Sequence, residues 1–369
     1  MPEPKQKTGN PERPKVIAAF MGHRTLGNFT MNQIAAASVA RAAGPGTKLL
    51  SIYRSDRPYK DLINLCNPTI TRTLRLPADP NVITPLDWFE GRHGVAGAPT
   101  DEAWYEDGYH RPDIVLTPAQ LRIEHCMGTP PPFHFPVALE GAMEMALRQL
   151  GLKKNNWFAV VHLREIGYEH RRGVSQERTV NPLDYLPALN RIIEKHGGQV
   201  VRVGDPSMTP LPPTEGLIDL SRIPDSFPLQ AFALARARFF FGTDSGPTQL
   251  ASAFKTPVAS TNAFGIAVWN DGDIVLNKRV IRENGSEIPT QELFDMGTWT
   301  VHRNWPSGSR VENNTQEQLK TVVDRIVETT ATCTEWRQNA DMPPFAPESL
   351  GLPLQWREVT DIADITLWE

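Results

Sequence analysis

The run Phe-Phe-Phe-Gly-Thr-Asp-Ser-Gly-Pro-Thr from Phe239 to Thr248 restricts the fold more than any other stretch. Three consecutive phenylalanines, Phe239 to Phe241, read as a short buried strand. Gly242 and Gly246 permit close backbone approach or positive φ. Pro247 suits the first helical position, where a missing N–H costs nothing. The chain is therefore expected to turn tightly from Gly242 to Gly246, enter a helix and resume as a strand from Val258. Such a helix start presents N–H groups and a positive dipole end, with the hydroxyls of Thr243, Ser245 and Thr248 around it. That chemistry suits a phosphate or diphosphate. An ordinary strand-to-helix turn capped by Asp244 or Ser245 accounts for the same residues almost as well.

The rest of the second half repeats the pattern. Trp157 to His162 reads as a strand, Asp184 to His196 as a helix stopped by Gly197-Gly198, and Val200 to Val203 as a strand. Gly204-Asp205, a proline loop, a strand at Ile218 and a helix around Gln230 to Arg236 follow. Strands alternating with helices imply a parallel sheet covered on both faces. Ligands of such sheets sit beyond the carboxyl ends of the strands. Those ends carry His162 and Arg164, Gly204 and Asp205, Gly242 to Gly246, and Thr261 and Asn262, which together make one polar rim. Arg164, following a five-residue apolar strand, calls for an anionic partner. His162 reads equally as a ligand and as a satisfied structural histidine. Arg171 and Arg172 read as a solvated turn, and Asp271-Gly272-Asp273 as a surface turn rather than a metal site.

The first half opens in the same way. Val16 to Phe20 is a short strand, Met-Gly-His-Arg-Thr-Leu-Gly-Asn follows it, Ile34 to Ala43 is an alanine-rich helix, and Leu49 to Tyr53 a second strand. From Pro77 to Pro136 the periodicity weakens, and aromatics sit among prolines, glycines and acids; this is either the wall of a cleft or a decoration with packing aromatics. Helix returns at Val137 to Leu150. Asn314, with Glu317 three residues on, reads as the start of a docking helix whose apolar face is Leu319, Val322, Val323, Ile326 and Val327. With 369 residues the chain has room for two domains. The expected division is a loose lead over 1–13, domains over 14–150 and 151–332, and a packed tail over 333–369.

A formal charge of −4 provides no general attraction to nucleic acid or anionic membrane, so an anion site has to be local. Cys66, Cys126 and Cys333 have neither disulfide nor zinc spacing. No apolar run suggests a signal peptide or a membrane span, and the expectation is a cytoplasmic protein. No Walker-type Gly-Lys-Ser/Thr, no Gly-x-Ser-x-Gly and no Gly-x-Gly-x-x-Gly after a domain's first strand is present.

Four ordered segments carry a family resemblance: Val-Val-His-Leu-Arg-Glu from Val160, Asn-Pro-Leu-Asp-Tyr-Leu-Pro-Ala from Asn181, Val-Arg-Val-Gly-Asp-Pro-Ser-Met from Val201, and Phe-Gly-Thr-Asp-Ser-Gly from Phe241. They resemble a family of bacterial glycosyltransferases distantly similar to the ADP-heptose:lipopolysaccharide heptosyltransferases. Through the His-x-Arg element they also resemble the GDP-fucose-using fucosyltransferases. The likeness covers residues 157–262; the first 150 residues match loosely, chiefly at Gly22-His23 to Asn28.

It implies a GT-B fold, two Rossmann-like α/β domains facing across a cleft, with a nucleotide-sugar donor on the C-terminal one and no cofactor or metal. Carried over by position, Gly242, Thr243, Asp244, Ser245 and Gly246 would cradle the diphosphate. Arg164 would neutralise it, Arg202 and Asp205 would lie near the donor, and the nucleoside would meet the loops after Val203 and around Thr261 and Asn262. The acceptor (a glycan, a small molecule or a thiol) would enter from the N-terminal domain.

Heptosyltransferases carry an aspartate, the expected base, where this chain has Asn28, and an amide cannot take up a proton at neutral pH. His23 is the expected substitute, with Asp87, Glu90 or Glu124 as alternatives, and a thiolate acceptor would need no base. GDP is preferred over ADP or UDP on the His-Leu-Arg likeness. A sugar-nucleotide-binding protein without activity, and an epimerase on the same scaffold, remain the rival readings.

Overall fold

Strands too apolar to face water on either side dictate the architecture. The computed structural model describes residues 15–22, 25–76, 78, 112–117, 120–121, 130–165, 179–263, 273–289, 292–293 and 306–331. Near the N-terminus, β1 (Val16–Met21) is buried along its whole length. A strand buried on both faces belongs in the middle of a parallel sheet. It pairs in parallel with β2 (Lys48–Arg54) on one side and β4 (Ile114–Leu116) on the other, and β3 (Ile70–Leu76) lies outside β2. Helix α1 (Leu26–Ala42) joins β1 to β2, and α2 (Pro58–Cys66) joins β2 to β3.

The second sheet has six parallel strands. Its members are β5 (Phe158–His162), β6 (Gln199–Arg202), β7 (Leu217–Asp219), β8 (Phe239–Thr243), β9 (Val258–Ala263) and β10 (Ile274–Asn277). They run β10-β9-β8-β5-β6-β7 across the sheet. The chain therefore starts at the centre with β5, moves outward to β7, then returns to the other side of β5 as β8. The gap between β5 and β8 is where the winding reverses, and the crevice at their carboxyl ends is the place such a sheet offers a ligand.

Alternation along β8 puts Phe239 and Phe241 on one face and Phe240 on the other. Phe239 and Phe241 join Trp157, Tyr185, Leu189 and Ile192 in a core closed by Leu319, Val322, Val323 and Ile326 of the helix α7 (Gln316–Thr329). The helical segment between β5 and β6 is not uniform. A 3₁₀ turn (Pro182–Tyr185) leads into α4 (Leu186–Asn190), which continues as a π-helical turn (Arg191–Lys195). Helices α3 (Val137–Gln149) and α5 (Phe227–Arg236) are tied by Glu140 to Arg236. Helix α6 (Gly246–Ala253) joins β8 to β9. A small antiparallel pair, β11 (Arg279–Ile281) with β12 (Arg310–Glu312), precedes α7.

Packing divides the described residues into two units. The first holds the four-stranded sheet; the second holds the six-stranded one together with residues 25–30, the start of α1. Helix α7 begins one residue later than the sequence suggests. Thr315 is the cap: its hydroxyl accepts from the Gln318 N–H at 3.2 Å, and Gln318 returns the bond to the Thr315 N–H at 2.8 Å. Asn314 is committed elsewhere, to Asn262.

Gly242 is the tightest point of the second sheet. Its φ is +148°, and a β-carbon there would stand 2.1 Å from the carbonyl oxygen of His162. Replacing it with alanine combines a disfavoured φ with a clash against backbone that cannot move aside. Gly242→Ala is expected to destabilise by about 3 kcal/mol. Gly285→Ala, at positive φ but with open space around it, should cost about 1 kcal/mol. Urea unfolding of the two variants beside the wild type measures the difference.

Candidate functional site

The reversal point is built around a shared hydroxyl. Thr243, the last residue of β8, accepts a hydrogen bond from the Arg164 N–H at 2.8 Å and donates to the His162 carbonyl at 3.4 Å. The loop leaving β5 is thereby fixed to the end of β8. Thr248, in the first turn of α6, accepts from the Ser245 N–H at 3.1 Å and donates to the Thr243 carbonyl at 2.9 Å. Ser245 Oγ lies 2.8 Å from His162 Nδ1.

The hydroxyls of Thr243, Ser245 and Thr248 were expected around an anion; they are instead buried and turned into the turn's own framework. Pro247 has no N–H, the Thr248 N–H is taken by the Ser245 side chain and the Gln249 N–H by the Ser245 carbonyl at 3.3 Å, so any capacity to hold a diphosphate rests on the Gly246 N–H and the positive end of α6. Close approach is what Gly246 and Gly27 provide. A β-carbon on Gly246 would stand 3.0 Å from the Gly27 nitrogen, and one on Gly27 would stand 3.1 Å from the Gly246 α-carbon. The first turns of α1 and α6 therefore touch backbone to backbone, and Asn28 is exposed beside that junction.

His162 is buried against this turn. Burial, then the charges of Arg202 and Arg164, push its imidazole down to about 3, so the ring is neutral at physiological pH. Arg164 itself is half-buried, close enough for its charge to reach His162. Asp244, also half-buried, accepts from Gln249 Nε2 at 3.3 Å.

Other expected donor contacts are corrected. The Arg202 guanidinium is fully buried and bonded to Glu165 at 2.9 Å, Asp219 at 3.1 Å and the Thr209 carbonyl at 2.7 Å. It holds the loops after β5, β6 and β7 together rather than facing a ligand. Gly204 is clasped by Gln230, which accepts from its N–H at 2.9 Å and donates to its carbonyl at 2.8 Å. Asp205 caps its own turn by accepting from Ser207. Thr261 is buried and bonded to the Gly242 carbonyl at 3.1 Å and to Tyr185 at 2.9 Å. Asn262, at φ 48°, donates to Tyr185 at 2.8 Å and exchanges two 2.6 Å bonds with Asn314. Both are parts of an internal polar network. Asp273 is buried and accepts from the Val258 N–H at 2.9 Å. His23, Asp87, Glu90, Glu124, Arg171, Arg172, Asp271 and Gly272 lie outside the described residues.

Sequence reasoning missed Glu165, Gln230, Tyr185 and Gln249. Glu165 and Tyr185 carried a signal, since both lie within the segments that bear the family resemblance; Gln230 and Gln249 carried none.

This reversal point, with its glycine turn and helix start, defines an α/β protein with the GT-B fold of glycosyltransferases, each unit carrying a parallel Rossmann-like sheet. The fold is similar to that of a family 9 glycosyltransferase from Veillonella parvula DSM 2008, at a TM-score of 0.50 and 11% identity, covering 85% of this chain and 97% of that one. It is also similar to ADP-heptose lipopolysaccharide heptosyltransferase II of E. coli, at 0.48 and 13% identity, covering 85% and 98%. No protein-family model and no curated protein sequence matches the chain.

The expectation of a protein without a cofactor does not stand. A further neighbour, the dodecameric glycosyltransferase TibC of enterotoxigenic E. coli H10407, is iron-containing. Its TM-score is 0.45 at 13% identity, over 87% of this chain and 76% of that one. Among the described residues, no group of three or more His, Cys, Asp or Glu side chains is placed to hold a metal ion. No described helix is long and apolar enough to cross a membrane.

His162 makes stability depend on pH. An unfolded histidine takes up a proton near pH 6.5, whereas the buried ring does so only near 3. Between those values the unfolded state binds more protons, so stability falls as pH is lowered. His162→Gln is expected to remove up to about 1.4 kcal/mol per pH unit from that slope, read as the wild-type minus variant unfolding free energy from pH 7 to pH 4. Arg202→Met leaves Glu165 and Asp219 without their shared cation and should cost about 3–5 kcal/mol in the same urea assay.

Proposed function

We propose that the protein transfers a glycosyl group from a nucleoside diphosphate sugar to a nucleophilic acceptor: a glycan, a small molecule or a thiol. The observation that carries this reading is the turn from β8 into α6 at the reversal point of the sheet. There the hydroxyls are bonded inward, Gly246 leaves the helix start without a side chain of its own, and Arg164 is fixed at the end of β5 through its own N–H. A diphosphate lying against the first turn of α6 meets the Gly246 N–H and the positive end of the helix, with Arg164 as counter-charge. As the bond from the anomeric carbon to phosphate lengthens, negative charge grows on the leaving diphosphate. Donors already aimed at it lower the barrier without reorganising.

The donor is a GDP-sugar in preference to an ADP- or UDP-sugar. That preference rests on the His162-Leu163-Arg164 likeness to enzymes that use GDP-fucose. The transferred group is a hexose or heptose.

A thermal-shift screen of GDP, ADP, UDP and CDP tests the reading. The bound nucleotide at 100 times its dissociation constant should add about 2.7 kcal/mol of stability. Arg164→Ala should weaken that nucleotide by about 10- to 100-fold, the 1.5–3 kcal/mol of a charge-assisted bond, as measured by titration calorimetry. No shift with any of the four overturns the assignment.

A further inference from the structure

We propose that the outward face of α3 is the docking site of a segment of this same chain, residues 333–356. The proposal does not depend on the transferase reading.

Helix α3 is amphipathic the wrong way round. Its three charged residues, Glu140, Glu144 and Arg148, follow at intervals of four and so form one stripe. Through Glu140 that stripe is tied to Arg236 of α5, and Leu147 beside it is the one buried residue of the helix. The opposite arc holds Gly141, Met145, Ala138, Ala142 and Leu139, all exposed and none charged. Of the seven large apolar side chains that the described residues expose, four stand on this helix and its C-cap: Val137, Leu139, Met145 and Leu150. Apolar surface gathered at one place on a protein marks a contact.

The occupant is indicated by where the described chain ends. Helix α7 finishes at Thr329, and residues 332–369 lie outside the described residues. Arg238 holds the end of α7, donating to Thr330 Oγ1 at 2.9 Å and to the Val327 carbonyl at 2.6 Å. Arg236, two residues back along the same backbone, holds Glu140 in the first turn of α3. Two residues span about 7 Å, so the exit of the chain and the start of α3 are anchored to one short stretch. Residues 333–356 reach about 80 Å when extended and α3 is about 20 Å long, so length is no obstacle.

Composition agrees. The segment carries Trp336, Phe345, Leu350, Leu352, Leu354 and Trp356. Side chains this large gain by leaving water for an apolar surface within reach. The small side chains of Ala138, Gly141 and Ala142 leave room for large ones to lie against the helix. Pro343, Pro344, Pro347 and Pro353 keep the segment from forming one continuous helix, which suits a chain laid along a helix face. An anionic membrane surface fits less well, because the helix offers one cation, Arg148, and Glu144 already pairs with it. Pairing of two α3 faces from two copies would cover those faces and leave the tryptophans of the segment in water.

The test uses the full chain with p-benzoylphenylalanine in place of Met145. On irradiation the cross-linked product should migrate as a monomer, and mass spectrometry should place the new bond within residues 333–356. In a second full-length variant, Ala142→Glu, a charge stands on the exposed face. Trypsin cleavage after Arg337 should then speed up by about tenfold or more, with cleavage elsewhere in the chain unchanged. A cross-linked dimer, a bond to added anionic lipid vesicles, or a bond elsewhere in the chain with none in residues 333–356 overturns the proposal. Equal rates of cleavage after Arg337 in the wild type and Ala142→Glu do the same. None of these readings involves nucleotide, so the transferase assignment stands or falls separately.

Discussion

The approach of β8 to the carbonyl of His162 governs the second unit. It requires Gly242, because any side chain there would occupy the space of that carbonyl oxygen, and it places Thr243 where one hydroxyl serves both strands. From that contact the rest follows in order. Thr248 braces the carbonyl of Thr243, the chain turns through Ser245, and a capping box between Ser245 and Thr248 starts α6. The site is thus a by-product of how two strands on either side of a topological reversal are held together. Its rigidity comes from short-range bonds, which suits a binding surface that must present donors at fixed positions.

What could be read from the sequence was what local chemistry decides. Glycine, proline and threonine spacing announced the turn at Gly242 to Gly246, and apolar runs announced β1, β5, β6, β8 and the docking face of α7. The missed parts depend on partners far away in the chain. Thr261 bonds Tyr185 across 76 positions, Asn262 bonds Asn314 across 52, and Arg202 bonds Glu165 across 37. Nothing in the local sequence distinguishes a polar residue that meets a ligand from one that meets such a partner. Residues at strand ends were therefore assigned to a ligand when several of them belong to the frame.

Boundaries failed for a related reason. Helix α1 starts at Leu26, eight residues ahead of the alanine-rich stretch. The segment Leu-Gly-Asn-Phe-Thr-Met-Asn-Gln has weak helix preference, but Phe29, Thr30, Asn32 and Gln33 are all buried, and packing overrides propensity. Strand β3 was overlooked because Ile-Thr-Arg-Thr-Leu-Arg-Leu alternates and stays half-exposed, as an edge strand does. The capping residue of α7 fell one place later because Asn314, the better-looking cap by sequence, is withdrawn to satisfy Asn262.

In a chain of net charge −4, the proposed anion site depends on local electrostatics. Arg202 contributes no open field, because Glu165 and Asp219 share its guanidinium in full burial. His162 is held neutral by the same surroundings. The backbone dipole at the start of α6 adds a short-ranged positive end beside them. Dipoles fall off within a turn of the helix, so the attraction is short-ranged and geometrically selective. A compact anion at the first turn of α6 would feel it, whereas an extended polyanion lying over the surface would not, and the buried Arg202 and His162 would add little to either.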